Sequence, residues 1–122
     1  MIFVMLDSSK TQQERLTKLL LASFPGSVIY QHLNAQHASH DVLCNKVDAV
    51  FLEAGMEKAN GLPLIQILRR QKPELPVFII AKTNGFHENA DDVGVNGYFV
   101  LPDQEQQLLE AIRLIKNKEK VS

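Results

Sequence analysis

Five short apolar runs recur along the chain, separated by longer, more polar stretches. They fall at residues 2–6, 27–30, 49–52, 77–81 and 98–101. Four of them are continuous rather than alternating, and they are rich in β-branched and aromatic residues; the run at 27–30 is the least clean. Continuous runs of this kind are typical of strands that are buried on both faces of a parallel sheet.

The stretches between these runs carry apolar residues at helical spacing. The first stretch places four of them on one helical face: Leu16, Leu19, Leu20 and Phe24. Ser9 and Gln12 precede them at the spacing of a capping box. Residues 62–68 and 108–115 repeat the spacing, and we expect the last helix to begin at Pro102. Alternating strands and helices predict an α/β fold with a parallel sheet and helices on both faces.

The residues that directly follow the predicted strands are the candidates for a functional site. In parallel α/β sheets, ligands bind beyond the carboxyl ends of the strands. Two carboxylates, one hydroxyl and three apolar residues occupy these positions: Asp7, Ser8, Glu53, Ala81, Leu101 and Pro102.

Composition limits the class of protein. The 122 residues suit one domain, which we place at 1–118 with a frayed tail at 119–122. A net charge of −1 argues against direct nucleic-acid binding through bulk charge. No apolar run approaches a membrane span, and the single cysteine, Cys44, fits a reducing compartment. We therefore expect a cytoplasmic domain that contacts neither nucleic acid nor membrane.

Three segments resemble the receiver domain of two-component response regulators. Met56 and Gly61 follow Glu53 by three and eight residues, the spacing at which that family places Met and Gly after its phosphate-accepting Asp. Residues 96–102, NGYFVLP, resemble the family's A-D-G-Y-x-x-K-P, and residues 76–81, PVFIIA, resemble its P-V-I-x-x-T. The resemblance implies a flavodoxin-like (CheY-like) three-layer fold. Its five-stranded parallel sheet has the order 2-1-3-4-5, and we expect a short fourth helix.

The chain departs from this family at the positions that carry its chemistry. Glu53 stands where the family has the accepting Asp. Asp7 with Ser8 replaces an acidic pair that holds Mg²⁺. Ala81 replaces a Thr or Ser, and Leu101 replaces the Lys that neutralises the phosphoryl group. The resemblance thus indicates a degenerate receiver, or pseudo-receiver.

The departures predict a signalling interaction module rather than an enzyme. Glu is one methylene longer than Asp, and a misplacement of about 1 Å can cost about 10²-fold in rate. We therefore expect that the domain is not phosphorylated in the usual way. Asp7 and Glu53 could still bind Mg²⁺ weakly, so we expect either no cofactor or weak Mg²⁺.

Three alternatives stay open. Glu53 could mimic phospho-Asp and lock the domain on, Asp7 could accept a phosphoryl group, or the strand ends could bind a small ligand. The resemblance implies a bacterial phosphorelay in which the domain binds a protein partner, regulates an attached output domain, or forms a homodimer. The interaction face that it implies lies on the last strand and helix, with four residues: Tyr98, Leu108, Ile112 and Ile115.

Overall fold

The computed structural model describes residues 1–7, 9–32, 46–53, 62–81 and 95–121. These ranges contain five strands and three helices, which are β1 (Ile2–Leu6), α1 (Lys10–Ser23), β2 (Val28–His32), β3 (Ala49–Glu53), α2 (Leu62–Gln71), β4 (Val77–Ala81), β5 (Gly97–Val100) and α3 (Glu105–Val121). The three helices are the first, third and fifth of those expected. The stretches expected to form the second helix and the short fourth helix lie outside the described residues.

The five strands form one parallel sheet in the order β2-β1-β3-β4-β5. Both the parallel pairing and the order 2-1-3-4-5 confirm the predicted flavodoxin-like fold. In this order β1 and β3 lie side by side at the centre, so the carboxyl ends of β1 and β3 meet where the strand order reverses.

The sheet is buried on both faces, which explains the continuous apolar runs. Along β1, Val4 and Leu6 belong to one core cluster, while Phe3 and Met5 belong to the other. The first cluster includes Leu68 of α2, and the second includes residues of α1 and α3. The helices therefore lie on opposite faces of the sheet, with α1 and α3 together on one side.

A row of aromatic rings crosses the sheet on the face that α1 and α3 cover. Successive ring centroids lie 5.5 to 6.3 Å apart, in tilted, stacked or edge-on arrangements. In order, the rings are those of Phe24, Phe3, Phe51, Phe78 and Phe99. Aromatic pairs in these geometries contribute about 0.5–1.5 kcal/mol each beyond the area they bury. Through these contacts the aromatic row links four of the five strands to one another and to the end of α1.

The last helix begins later than the sequence predicts. α3 starts at Glu105, whereas Pro102 was expected to open it. Gln104 closes a turn in between: its backbone N–H donates to the Val100 carbonyl oxygen, and its side-chain Oε1 accepts from the Val100 N–H, both at 2.7 Å. The Gln104 side chain thus extends the hydrogen bonding at the end of β5, and α3 begins at the next residue, Glu105.

Two features of α3 bear on the predictions for this helix. The helix extends to Val121, and the frayed tail at 119–122 stays a prediction. Leu108 and Ile112 are 0% exposed and pack in the core, so they do not form part of an exposed interaction face. Ile115 is half-buried against the same cluster. In the described part of the chain, no helix is long and apolar enough to cross a membrane.

Candidate functional site: the carboxyl edge of the sheet

Asp7 and Glu53 occupy neighbouring backbone positions at the carboxyl edge of the sheet. Leu6 pairs with Leu52 in the ladder between β1 and β3, and Asp7 and Glu53 are the next residues on the two strands. This is the point where the strand order reverses, which is the usual ligand position in open α/β sheets. The structure therefore brings the two predicted acidic residues together.

Both the backbone and the side chain of Asp7 are hydrogen-bonded to neighbouring residues. The residue is 4% exposed, and its Oδ1 accepts a hydrogen bond from the Ser9 N–H at 2.7 Å. Its own N–H donates to the His32 carbonyl oxygen at 3.1 Å. The buried Gln13 side chain donates from Nε2 to the carbonyl oxygens of both Asp7 and His32, each at 2.9 Å. Gln13 thus fixes the ends of β1 and β2 against the first turn of α1.

The start of α1 confirms one half of the predicted capping box. The Gln12 N–H donates to Ser9 Oγ at 3.3 Å, as expected of an N-cap serine. The Ser9 N–H does not bond to the Gln12 side chain but donates to Asp7 instead. In the described structure, Gln12 Nε2 is buried without a hydrogen-bond partner.

The other two strand ends present apolar side chains. Ala81 ends β4 and is 5% exposed, and its carbonyl oxygen accepts from the Leu101 N–H at 2.8 Å. The Leu101 side chain packs against the core cluster of α1 and α3 and lines a cleft with Leu16 and Leu19. Pro102 follows through a cis peptide bond and is exposed.

The donor set fits Mg²⁺ only in part. Mg²⁺ prefers octahedral oxygen ligands and uses one or two carboxylates together with water or phosphate. Asp7 and Glu53 supply two carboxylates, but one Asp7 oxygen already accepts from the backbone of Ser9. Within the described ranges, no group of three or more His, Cys, Asp and Glu side chains could hold a metal ion. Ser8, the remaining predicted member of this edge, lies outside the described residues.

The comparisons with known proteins identify the family. The family model described as response regulator receiver domain matches residues 3–113. The chain belongs to this family. No curated protein matches the sequence significantly.

Solved receiver structures share the fold at low sequence identity. A receiver domain protein from Clostridium thermocellum is 21% identical with a TM-score of 0.77, over 98% of this chain and 97% of that one. The response regulatory domain of MrkE from Klebsiella pneumoniae is 16% identical with a TM-score of 0.79, over 100% of both chains. The Thermotoga maritima regulator TrrA, solved in complex with Mg²⁺-BeF, is 18% identical with a TM-score of 0.77, over 93% of this chain and 97% of that one.

Two glutamines that shape this receiver's carboxyl edge were not predicted. Gln13 and Gln104 both satisfy backbone groups at strand ends. A signal was present in each case, since Gln13 precedes Leu16 by three residues and Leu20 by seven, and Gln104 precedes Leu108 by four. A polar residue on the apolar face of a helix needs a buried hydrogen-bond partner, and the end of a strand supplies one.

Proposed function

We propose that this receiver domain is an interaction module of a two-component phosphorelay that works without the usual phosphorylation. The observation that carries the proposal is the position of Leu101. At the strand end where receivers place a lysine, this chain packs an apolar side chain against α1. The fixed cation that would neutralise a transferring phosphoryl group is therefore missing from that position.

The neighbouring residues support the same conclusion. Phosphoryl transfer depends mainly on placing the attacking oxygen in line with the leaving group and on stabilising the charge of the transferred group. Glu53 shifts the accepting oxygen by one methylene. Ala81 has no hydroxyl to contact a phosphoryl oxygen. Three of the groups that receive and sense the phosphoryl group are thus altered together.

Signalling then depends on contacts with other proteins. We propose that the domain binds a protein partner or an attached output domain, or pairs with a second copy, in the bacterial cytoplasm. Tyr98 and Ile115 are half-buried and remain the predicted contact residues of β5 and α3. Weak Mg²⁺ binding through Asp7 and Glu53 is compatible with this role, and the role does not require it. We propose no enzymatic activity, no direct nucleic-acid binding and no membrane contact.

Intact mass after incubation with Mg²⁺ and acetyl phosphate tests the proposal. Three proteins are compared: wild type, Glu53→Asp, and the triple variant Glu53→Asp/Ala81→Thr/Leu101→Lys. We expect no added mass for wild type and a gain of one phosphoryl group for the triple variant. A gain in the single variant would place the block at Glu53 alone. One phosphoryl group on wild type would overturn the proposal.

Two controls are needed to interpret the mass measurement. The circular dichroism spectrum of each variant shows whether it is folded, since Leu101→Lys removes an apolar contact. The acceptor in the triple variant is checked with a second triple variant that carries Glu53→Asn in place of Glu53→Asp, which should abolish the mass gain. If the gain persists, the modified group is elsewhere, and Asp7 is the first residue to map.

A further inference from the structure

The two outer edges of the sheet differ in how their backbone groups are satisfied. β2 and β5 are the edge strands. The Leu101 N–H donates to the Ala81 carbonyl oxygen at the end of β4, so the backbone groups of Val100 face the outer edge of β5. Gln104 satisfies both of them, since it donates to the Val100 carbonyl oxygen and accepts from the Val100 N–H, each at 2.7 Å. The carboxyl end of the β5 edge is therefore closed to another strand.

The outer edge of β2 carries backbone groups that the sheet does not use. The Val28 N–H and the His32 carbonyl oxygen both bond to residues that flank β1. Successive residues of a strand direct their backbone groups to opposite edges, so those of Ile29 and Gln31 face outward. Within the described residues, no strand pairs with this edge. An edge of this kind is a template for pairing with a further strand.

The side chains of β2 do not protect this edge. Its sequence, VIYQH, contains no Lys, Arg, Asp, Glu or Pro, the residues that usually prevent edge-to-edge pairing. Gln31 Nε2 donates to Thr17 Oγ1 at 2.8 Å, which draws that side chain toward α1. Val28 is 46% exposed, and Tyr30 is half-buried. The β2 edge is thus uncharged and partly apolar.

We infer that the β2 edge pairs with the β2 edge of a second copy of this chain. Ile29 and Gln31 lie symmetrically about Tyr30, so an antiparallel pairing with Tyr30 on the two-fold axis is self-complementary. Ile29 of each copy then exchanges two backbone hydrogen bonds with Gln31 of the other copy. Two such exchanges give four hydrogen bonds, and the two five-stranded sheets become continuous.

The pairing also brings compatible side chains together. Tyr30 would lie opposite Tyr30 of the second copy, and aromatic pairs across neighbouring strands are stabilising. Val28 would lie opposite His32 of the second copy and lose part of its exposed surface. A net charge of −1 means that two copies repel each other little. A second copy therefore fits this edge in hydrogen bonding, in side-chain contacts and in charge.

This inference goes beyond the proposed function. The β2 edge lies at the opposite side of the sheet from β5, the strand that carries the predicted contact residue Tyr98. Pairing through backbone groups requires neither Mg²⁺ nor a phosphoryl group. The inference therefore stands or falls independently of the intact-mass measurement described above.

Sedimentation velocity over a wide range of protein concentrations measures the pairing. We expect a reversible monomer–dimer equilibrium in wild type. Gln31→Pro removes an outward N–H and no bond to β1, so each dimer loses two of its four hydrogen bonds, and we expect dimerisation to weaken by about tenfold or more. Gln31→Thr is the matched control, because it removes the same side chain but keeps the N–H, and it should dimerise as wild type does. Circular dichroism shows whether each variant is folded.

Disulfide cross-linking tests the register and does not depend on whether Gln31→Pro folds. In a Cys44→Ser background, Tyr30→Cys places two Cβ atoms about 4.5–5.5 Å apart across the two-fold axis, close to the spacing of a disulfide. Val28→Cys is the control, because its two copies would lie about 13 Å apart along the strands. We expect mild oxidation to link Tyr30→Cys into a dimer but not Val28→Cys, although Val28 is the more exposed position.

Three results would each overturn the inference. The first is a wild type that stays monomeric at every concentration, which would leave the edge to an extended segment of another protein. The second is a folded Gln31→Pro variant that dimerises as tightly as wild type, which would place the dimer contact on another surface. The third is cross-linking of Val28→Cys in preference to Tyr30→Cys, which is what random collision through the more exposed residue would give.

Discussion

The Asp7 carboxylate accepts a hydrogen bond from the Ser9 N–H at 2.7 Å. Asp7 therefore stabilises the backbone turn that leads from β1 into α1. Its role as an acceptor requires neither Mg²⁺ nor a phosphoryl group. We therefore expect Asp7 to contribute to the stability of the fold independently of any phosphorylation.

Asp7→Ala should destabilise the domain more than Asp7→Asn does. Alanine leaves the Ser9 N–H without its acceptor at a largely buried position, which costs about 1–3 kcal/mol. Asparagine keeps a side-chain oxygen at the same place, so less than half of that loss is expected. Urea unfolding at neutral pH gives both values. Equal losses in the two variants would show that the charge, rather than the acceptor, is what counts.

Gln13→Leu should also destabilise the domain, because two hydrogen bonds at the strand ends depend on one amide. Removing the donor leaves the Asp7 carbonyl oxygen without this bond and weakens the link to His32, for an expected loss of about 1–3 kcal/mol. Gln13→Glu should cost more, since a carboxylate would face two carbonyl oxygens.

Gln66→Glu is the matched control for this prediction, because Gln66 is exposed on α2. Its effect should stay within about 0.5 kcal/mol. Urea unfolding of all three variants is the measurement. If Gln13→Glu is as stable as wild type, the Gln13 amide does not hold β1 to β2.

Most of the fold could be predicted because burial leaves a direct trace in the sequence. A strand buried on both faces must be apolar throughout, and β1 and β4 lie at the predicted residues. The residue at which a helix begins is harder to predict where a side-chain hydrogen bond decides it. Gln104 precedes α3 and accepts from the Val100 N–H, and the apolar periodicity carries no information about that bond.

The spacing of apolar residues also does not distinguish a residue that faces the core from one that contacts a partner. Leu108 and Ile112 were assigned to the interaction face, and both pack in the core.

The sequence predicts which residues lie at the carboxyl edge of the sheet better than it predicts where their side chains point. Strand ends in a parallel sheet meet at one edge, so the proximity of Asp7 and Glu53 follows from the topology alone. The direction of the Leu101 side chain does not follow from topology. It packs toward α1 because apolar surface gains free energy on burial, and the leucines of α1 lie within reach.

Gly97→Ala should destabilise the sheet through a steric clash. A Cβ atom at Gly97 would lie 2.8 Å from Phe99 Cε2 and 3.2 Å from Phe78 Cδ1, both rings of the aromatic row. Overpacking of this kind typically costs about 1–3 kcal/mol. The loss should shrink in a Phe99→Leu background, and a double-mutant cycle by urea unfolding measures that coupling.

Gly26→Ala is a contrasting case with a different cause. Gly26 has a φ of 84°, and a Cβ there would meet nothing within 4 Å. The expected loss of about 1–2 kcal/mol comes from the left-handed backbone, and Gly26→Asn should lose less. No coupling to Phe99→Leu is expected. Coupling at Gly26 as large as at Gly97 would rule out the steric explanation.

Asn96→Asp should stabilise the domain, and the effect should depend on pH. Arg69 of α2 donates to the Leu75 carbonyl oxygen and to Asn96 Oδ1, both at 2.6 Å, and the Val77 N–H donates to the same Oδ1 at 2.9 Å. Burial lowers the pKa of the Arg69 guanidinium, so a nearby anion would favour its charged form. The receiver pattern has Asp at this position, and a carboxylate oxygen there would keep both hydrogen bonds. Because Asn96 is exposed, we expect a gain below about 1 kcal/mol.

The sign of the pH dependence separates the ion pair from a general effect of charge. Arg69 would lower the pKa of the new carboxyl in the folded state below its unfolded value of about 3.9. The stabilisation is then fully present above that value and is lost as the pH falls through the lower, folded pKa. Urea unfolding of wild type and Asn96→Asp at neutral and acidic pH measures the difference. The gain should vanish in an Arg69→Gln background, and a gain that survives there cannot come from this ion pair.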